Sequence, residues 1–389
     1  MRERPLSLQV RMMFICGFIL IVTVLVTFTP DIAKEIAYSW TIGTERAKAE
    51  VARQFLAENP VSEQRIAWVA KAVVPCVVGV HVITSRAAAE YGALRGIPGM
   101  IESELGSGVI IDTQEGYILT NFHVIENAHA ISIRLSDGRE VEAEIVGQDR
   151  MVDLAVLRID LDDLEAVVWG DSRQVSIGEQ VVAVGSPYGL LQTVTSGIIS
   201  ATDRYPSAQP AQRTRRDTRP IPQPLLQTDA AINHGNSGGA LVDMDGKLIG
   251  ICTSIISMDN GGNSGIGFAI PSFTARRVFE EIVQHGKVKH GWIGTGLVPV
   301  TSFESRQLNQ KKPMGAVIQN FRNDSPAKDA GLQVGDIILR WGDTEIDNPL
   351  HLIHIITLTQ PGSKETVEVY RKGEILTIEI TVGTRPNDL

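Results

Sequence analysis

Between Val73 and Ile270 the chain consists of short runs of β-branched residues, each bounded by glycine, asparagine, aspartate or proline. The clearest runs are VVPCVVGVHVI, GVIID, GYILTNFHVI, AISIRL, VEAEIVG, LAVLRID and QVVAVGS. Runs of this length between turn residues are typical of antiparallel barrels and sandwiches. The sequence therefore predicts a mostly β fold over this stretch.

A predicted amphipathic helix, Phe273–His285, closes this unit, and Gly286 supplies its stop signal. Residues 290–385 form another strand-rich segment with two predicted helices, near Ser325–Ala330 and Asn348–Leu358. We expect two globular units, at residues 69–286 and 287–385.

The N-terminus carries an uncharged apolar run, Met12–Phe28, preceded by Arg2, Arg4 and Arg11. Its 17 residues would span roughly 26 Å as a helix, just enough for a bilayer core. Positive residues stay on the cytoplasmic side, so the rest of the chain should lie outside. Residues 1–30 are interpreted as a transmembrane anchor and 31–68 as a helical stalk, with a short helix over Val61–Ala72. The competing interpretation is a cleaved signal peptide, but no Ala-x-Ala site follows the run.

Charge and cysteine content exclude several classes of function. The net charge of −9 argues against a nucleic-acid partner, because phosphate contacts need a basic surface. Cys76 and Cys252 lack the paired spacing of metal or redox sites, and buried free thiols are favoured over a disulfide. We predict no metal and no cofactor. His129, predicted to be exposed, and His234, predicted to shape the neighbouring serine turn, show no metal-ligand spacing.

The strongest chemical signal is the run NHGNSGG, which ends at Gly239 and contains Ser237. A serine hydroxyl attacks a carbonyl only when a base removes its proton. The glycines permit a tight, open turn, which can aim the backbone N–H groups of Gly235 and Ser237 at one oxyanion.

A base and an orienting acid occur in the same β-rich segment. His123 follows the predicted strand Tyr117–Leu119, and Asp153 opens the run DLAVL. Taken singly, each is more simply interpreted as an ordinary surface or turn residue. Together they give the order His, Asp, Ser with separations of 30 and 84 residues. This order is typical of the chymotrypsin type and not of subtilisins or α/β-hydrolases.

The segments TNFHV, DLAVL and QTDAAINHGNSGGAL resemble the HtrA (Deg) family of serine proteases, as do Ser186–Gly189 and Gly265–Pro271. The similarity extends over about residues 69–382. It implies a chymotrypsin-like double β-barrel protease domain followed by a C-terminal PDZ domain. With the anchor and a single C-terminal unit, the chain is most similar to the DegS type, a membrane-bound stress sensor of the bacterial envelope.

The resemblance assigns roles residue by residue. His123 matches the base, Asp153 the orienting acid and Ser237 the nucleophile, while Gly235 and Ser237 match the oxyanion donors. Ile232 matches a wall of the primary specificity pocket, which would accept small aliphatic side chains.

In the C-terminal unit, SPAKDAGLQVGDII matches the PDZ domains of this family. Such domains add an extended peptide as a strand and capture its carboxylate with backbone N–H groups. The predicted capture loop is Trp292, Ile293, Gly294 and Thr295. Family members usually have an aliphatic residue where Thr295 stands, which leaves the preferred peptide terminus open.

Three functions remain open at this stage. The first is a stress sensor in the inner membrane, activated by C-terminal peptides of misfolded proteins and cutting a membrane-bound anti-sigma factor. The second is a quality-control protease of the periplasm that degrades unfolded proteins, and the third an inactive tethered peptide-binding scaffold. The long segment 203–224, rich in arginine, proline and glutamine, matches the family's regulatory loop, and family members are homotrimers.

Overall fold

The structure is a computed structural model that describes residues 43, 46–58, 64–84, 103–186, 192–205, 223–233, 235–253, 265–308 and 310–386. The apolar run Met12–Phe28 and His234 lie outside these residues, as does most of the segment 203–224. Within the described ranges, no helix has both the length and the apolar character needed to cross a membrane.

In the described part of the chain, two helices precede β1. Helix α1 covers residues 46–58 and α2 covers Arg65–Val73, followed by a 3₁₀ turn at Val74–Cys76. Residues 46–58 of the predicted stalk are helical. Both helices pack on the core through buried residues such as Leu56, Val69 and Val73.

The first sheet has seven strands in the order β5-β4-β1-β2-β3-β7-β6. Its strands are β1 Val77–Thr84, β2 Ser103–Ile110, β3 Tyr117–Thr120, β4 Ala128–Arg134, β5 Glu140–Glu142, β6 Glu144–Asp149 and β7 Leu154–Arg158. Alternate residues of a strand point to opposite faces. Accordingly Val78, Val80 and Val82 enter one buried cluster while Val77 enters another.

The second sheet closes on itself, because β12 pairs with both β9 and β13. Its order is β12-β9-β10-β11-β14-β13-β8. The strands are β8 Val168–Trp169, β9 Gln180–Gly185, β10 Thr193–Arg204, β11 Leu225–Thr228, β12 Ala240–Val242, β13 Lys247–Thr253 and β14 Gly267–Pro271. The largest buried cluster contains residues of both sheets and of α1 and α2, so they share one core.

The predicted strand Tyr117–Leu119 is confirmed as β3, which ends at Thr120, and Phe122–Ile125 then forms a single helical turn, α3. The predicted run VEAEIVG is divided between β5 and β6 at Ala143, whose N–H donates to the Ile131 carbonyl of β4 at 3.0 Å.

Helix α4, Ser272–His285, follows the second sheet and ends at Gly286, whose φ of +72° is left-handed. The predicted helix and its glycine stop are confirmed. Arg277 of α4 donates a hydrogen bond to the Leu358 carbonyl of the C-terminal unit. His290, four residues after Gly286, places Nε2 at 2.9 Å from Asp149 Oδ2 at the end of β6. Polar contacts therefore connect the two units.

The C-terminal unit has a sheet in the order β16-β17-β18-β20-β21, with β19 paired to β18, and a separate pair β15-β22. Its elements are β15 Gly291–Trp292, β16 Thr295–Pro299, α5 Ser302–Gln307, β17 Ala316–Phe321, α6 Pro326–Asp329, β18 Ile337–Trp341, β19 Thr344–Glu345, α7 Pro349–Leu358, β20 Lys364–Arg371, β21 Glu374–Thr381 and β22 Gly383–Thr384. Ser325 and Asn348, where the two predicted helices begin, cap α6 and α7 with their side chains.

Candidate active site

His123 lies on the single turn α3 and faces Asp153. Its Nδ1 is 2.8 Å from Asp153 Oδ2, and its backbone N–H donates to Asp153 Oδ1 at 2.9 Å. A ring nitrogen that faces a carboxylate carries the proton, which leaves Nε2 as the acceptor. The His123 side chain is 40% exposed and the Asp153 side chain 3%. The imidazole is therefore oriented by a buried carboxylate and open to solvent.

Asp153 is held in an unusual backbone conformation. Its φ is +61°, in the left-handed region that aspartate tolerates better than most residues. Its carbonyl accepts hydrogen bonds from Phe122 N at 3.1 Å and Asn121 Nδ2 at 2.9 Å. These bonds fix the position of the Asp153 loop relative to α3.

The turn that carries Ser237 is bonded to both sheets. Ser107 of β2 donates its N–H to the Ser237 carbonyl at 2.8 Å, and Gly238 N–H donates to the Cys252 carbonyl of β13 at 2.9 Å. Gly238 has a φ of +84°, and a Cβ there would lie 2.5 Å from Thr120 Oγ1. Because Thr120 ends β3 three residues before His123, the serine turn lies directly against the strand that leads to the histidine.

Thr253 connects this turn to the acid. It follows Cys252, and its Oγ1 donates to Asp153 Oδ2 at 3.4 Å. Thr253 is not recognisable from the sequence, because nothing within its own segment distinguishes it from other strand threonines. The structure thus brings His123, Asp153 and the serine turn into one cluster, as the order of the motifs predicts.

The turn preceding Ser237 contains a left-handed glycine. Asn236 N–H donates to the Asn233 carbonyl at 3.0 Å, and Gly235 has a φ of +99°. A positive φ is a backbone conformation that glycine adopts more readily than other residues.

Ile232 limits the space beside this turn. Its side chain is 7% exposed, and a Cβ on Gly267 of β14 would lie 2.9 Å from its Cδ1. The isoleucine side chain therefore lies directly against β14, five residues before Ser237.

The buried thiols play no part in this chemistry. Cys76 and Cys252 are both free, as favoured from the sequence, and burial raises the pKa of each to about 12. Both thiols are therefore protonated and unreactive near neutral pH. Among the residues that the structure describes, no three His, Cys, Asp or Glu side chains gather into a metal site. His129 is exposed, as predicted.

The predicted capture loop precedes the edge strand β16. Gly294 has a φ of +73°, and a Cβ there would lie 2.7 Å from Ser325 Cα. The Ile293 carbonyl accepts hydrogen bonds from Ser325 Oγ at 2.8 Å and Ala327 N at 3.1 Å. Within the described part of the chain, the N–H groups of Ile293 and Gly294 donate to no backbone carbonyl.

Comparison with known proteins agrees with this geometry. A family model described as a trypsin-like peptidase domain matches residues 106–251, and one described as a PDZ domain matches residues 291–382. The solved structure of the HtrA-type protease AlgW with tripeptide is 39% identical, with a TM-score of 0.69 over 82% of this chain and 97% of that one. This chain belongs to the HtrA protease family.

Two further similar proteins extend the comparison. The serine endoprotease from Yersinia pestis is 35% identical, with a TM-score of 0.60 over 84% of this chain and 99% of that one. A probable periplasmic serine endoprotease, DegP-like, from Halomonas elongata is 41% identical over 73% of this chain and 57% of its own length. The chain thus spans little more than half of that curated relative. The predicted fold class, a trypsin-like protease domain with a barrel followed by a PDZ domain, is confirmed.

Proposed function

We propose that this chain is an ATP-independent serine endopeptidase of the bacterial cell envelope. The observation that carries the proposal is the His123–Asp153 pair beside a serine turn bonded to both sheets. Ser237 Oγ attacks the scissile carbonyl while His123 Nε2 takes its proton, and Asp153 keeps the proton of Nδ1 in place. The amides of Gly235 and Ser237 receive the oxyanion.

His123 then gives its proton to the leaving amine. Water, deprotonated by the same ring nitrogen, attacks the acyl-enzyme and releases Ser237. Beside the nucleophile, Ile232 selects small aliphatic residues at the cleavage site. No cofactor takes part in this scheme.

The test compares the full chain with Ser237→Ala, His123→Ala and Asp153→Asn in fluorophosphonate labelling and casein digestion. We expect labelling only where Ser237 is present and a steep loss of labelling rate in the other two variants. Labelling that persists in Ser237→Ala would refute the nucleophile assignment. An unlabelled wild type, even with C-terminal peptide present, would support the inactive scaffold.

We further propose that the PDZ unit controls the protease, as in the DegS type. Both ends of the segment 203–224 support this proposal. Burial raises the pKa of Tyr205, and the charges of Asp203 and of Asp347, which lies just before α7, raise it further. At the other end, Gln223 Nε2 donates to the Val152 carbonyl at 2.8 Å, next to Asp153.

A C-terminal peptide captured by Trp292, Ile293, Gly294 and Thr295 would add a strand to β16. If it binds the active arrangement better than the resting one, it shifts the population toward activity. Misfolded envelope proteins would supply such termini, and a membrane-bound anti-sigma factor is the proposed substrate. Direct degradation of unfolded periplasmic proteins is the alternative.

Casein digestion with and without C-terminal peptides separates these two functions. Activity that rises many-fold with peptide, and falls again in Gly294→Ala, favours the sensor. Digestion that does not depend on peptide favours the quality-control protease. Identification of envelope proteins cleaved in cells with and without Ser237 would then name the substrate.

The proposed location is the inner membrane, with Met12–Phe28 as a single-pass anchor and both units in the periplasm. Fractionation of cells expressing the chain tests this, since deletion of residues 1–30 should release it from membranes. A homotrimer is also proposed. For the contact between subunits we propose the apolar groove between α1 and α2. Its lining includes Val51, Trp68, Val74 and Pro75. Analytical ultracentrifugation of Val51→Glu tests it.

A further inference from the structure

Ser107 of β2 is fully buried, and its N–H, carbonyl and hydroxyl groups are all hydrogen-bonded. Its N–H donates to the Ser237 carbonyl at 2.8 Å, and its carbonyl accepts from Thr120 Oγ1 at 2.7 Å. Its hydroxyl donates to the Gly235 carbonyl at 2.5 Å and accepts from Ser186 N at 2.8 Å. The sequence reasoning did not select this residue, which stands in an ordinary Gly-Ser-Gly run.

The hydroxyl contact is made with one particular peptide group. The Gly235–Asn236 peptide lies between the two amides proposed as oxyanion donors, those of Gly235 and Ser237. Its carbonyl accepts from Ser107 Oγ, and its N–H donates to the Asn233 carbonyl at 3.0 Å. A peptide plane bonded at both ends cannot rotate without breaking a buried hydrogen bond, which is costly.

The backbone bonds of Ser107 would be made by any residue at this position. The other two bonds need a side-chain hydroxyl, and they join three parts of the molecule. Ser107 belongs to the first sheet, Gly235 to the serine turn, and Ser186 to the segment that follows β9 of the second sheet. One hydroxyl group thus fixes the orientation of the serine turn relative to both sheets.

We propose that Ser107 is a positioning residue for the oxyanion site, acting through the Gly235 carbonyl. The inference rests on the proposed function, because it presumes that the Gly235 and Ser237 amides receive the oxyanion. Loss of the hydroxyl would leave the Gly235–Asn236 peptide bonded at one end only. The two donor amides would then spend less time aimed at a common point.

Ser107→Ala removes this hydroxyl, and Ser272→Ala is the matched control. Ser272 is also a buried serine whose hydroxyl donates to a backbone carbonyl, that of Gly170 at 2.9 Å, and accepts a backbone N–H, that of Ser172 at 3.1 Å. It begins α4, away from the serine turn. The two variants therefore lose the same two kinds of hydrogen bond in different places.

The measurements are kcat and KM for a peptide substrate, inhibition by a peptide boronate, and the unfolding temperature, all on the full chain. Removing an oxyanion donor outright lowers kcat by about 10²–10³-fold, so loss of positioning should lower it by about 10–100-fold. We expect Ser107→Ala to show this fall with KM within about twofold of wild type. Boronate affinity should weaken in parallel, because the tetrahedral adduct uses the same amides. Ser272→Ala should keep kcat within about twofold.

Equal kcat values in the two variants would overturn the proposal, as would a loss confined to KM. A Ser107→Ala chain that fails to fold while Ser272→Ala folds would also overturn it, because the hydroxyl would then be a stability element. Ser237→Ala serves as the independent check. If it retains activity, the proposed function fails, whereas a normal Ser107→Ala beside an inactive Ser237→Ala rejects only the positioning role.

Discussion

Replacing Gly238 by alanine tests whether the serine turn must lie against β3 for Ser237 to react. A Cβ at this position would sit 2.1 Å from the Ser107 carbonyl oxygen and 2.5 Å from Thr120 Oγ1. Both distances fall below the 3.0 Å that real Cβ contacts keep. The turn or β2 would therefore have to move by about 1 Å.

Two costs add in this variant. The left-handed φ of +84° costs alanine about 1–2 kcal/mol, and the overlap with backbone adds on the order of 1–3 kcal/mol. Gly178→Ala is the matched control, because Gly178 has a φ of +94° and nothing within 4 Å of its would-be Cβ. The control should lose only the conformational part, about 1–2 kcal/mol.

The assay has two parts. Guanidinium unfolding is measured with Ser237→Ala also present, so that self-digestion does not contribute. Fluorophosphonate labelling is measured with Ser237 intact. Because a misplacement of about 1 Å can lower the rate about 100-fold, Gly238→Ala should label at least that much more slowly than Gly178→Ala. If Gly238→Ala and Gly178→Ala label at rates within threefold of each other, the contact between the serine turn and β3 is not required for Ser237 to react.

Three further outcomes follow from the same structure. Ile232→Ala should widen the specificity pocket and shift cleavage toward larger side chains in a peptide library, whereas an unchanged preference would remove Ile232 from the pocket. Gly294→Ala should abolish peptide binding to the PDZ unit in calorimetry, because the new Cβ would meet Ser325 at 2.7 Å; binding within threefold of wild type contradicts this. Burial, together with the charges of His351 and Arg277, lowers the pKa of His354 to about 4. As pH falls from 6.5 to 4, the unfolded chain takes up a proton at His354 before the folded chain does, so the free energy of unfolding falls by up to about 3 kcal/mol. His354→Gln should reduce the fall in unfolding temperature on acidification. The control is His129→Gln, which replaces an exposed histidine. If the two variants lose unfolding temperature equally steeply with falling pH, the role given to His354 is contradicted.

The elements that the sequence predicts well are those set by local chemistry. Gly286 ends α4 because only a left-handed residue closes that helix, and Ser325 and Asn348 cap α6 and α7 through their own side chains. The order of His123, Asp153 and Ser237 also identified the cluster, because a triad needs three specific residue types in one β-rich unit.

What escaped prediction depends on contacts between distant segments. Thr253 and Ser107 stand in ordinary strand contexts, and only the folded chain brings their hydroxyls to Asp153 and Gly235. The left-handed Asp153 is likewise maintained by bonds from Asn121 and Phe122, 32 and 31 residues away. No local pattern encodes such pairings.

The central claim is that His123, Asp153 and Ser237 act together beside the amides of Gly235. A crystal structure of the full chain with a peptide boronate tests it most directly. The account predicts boron bonded to Ser237 Oγ, one boronate oxygen within hydrogen-bond distance of the Gly235 and Ser237 amides, and His123 Nε2 facing the adduct. A boronate bound at another residue, or His123 turned away from Asp153 and the adduct, would contradict it.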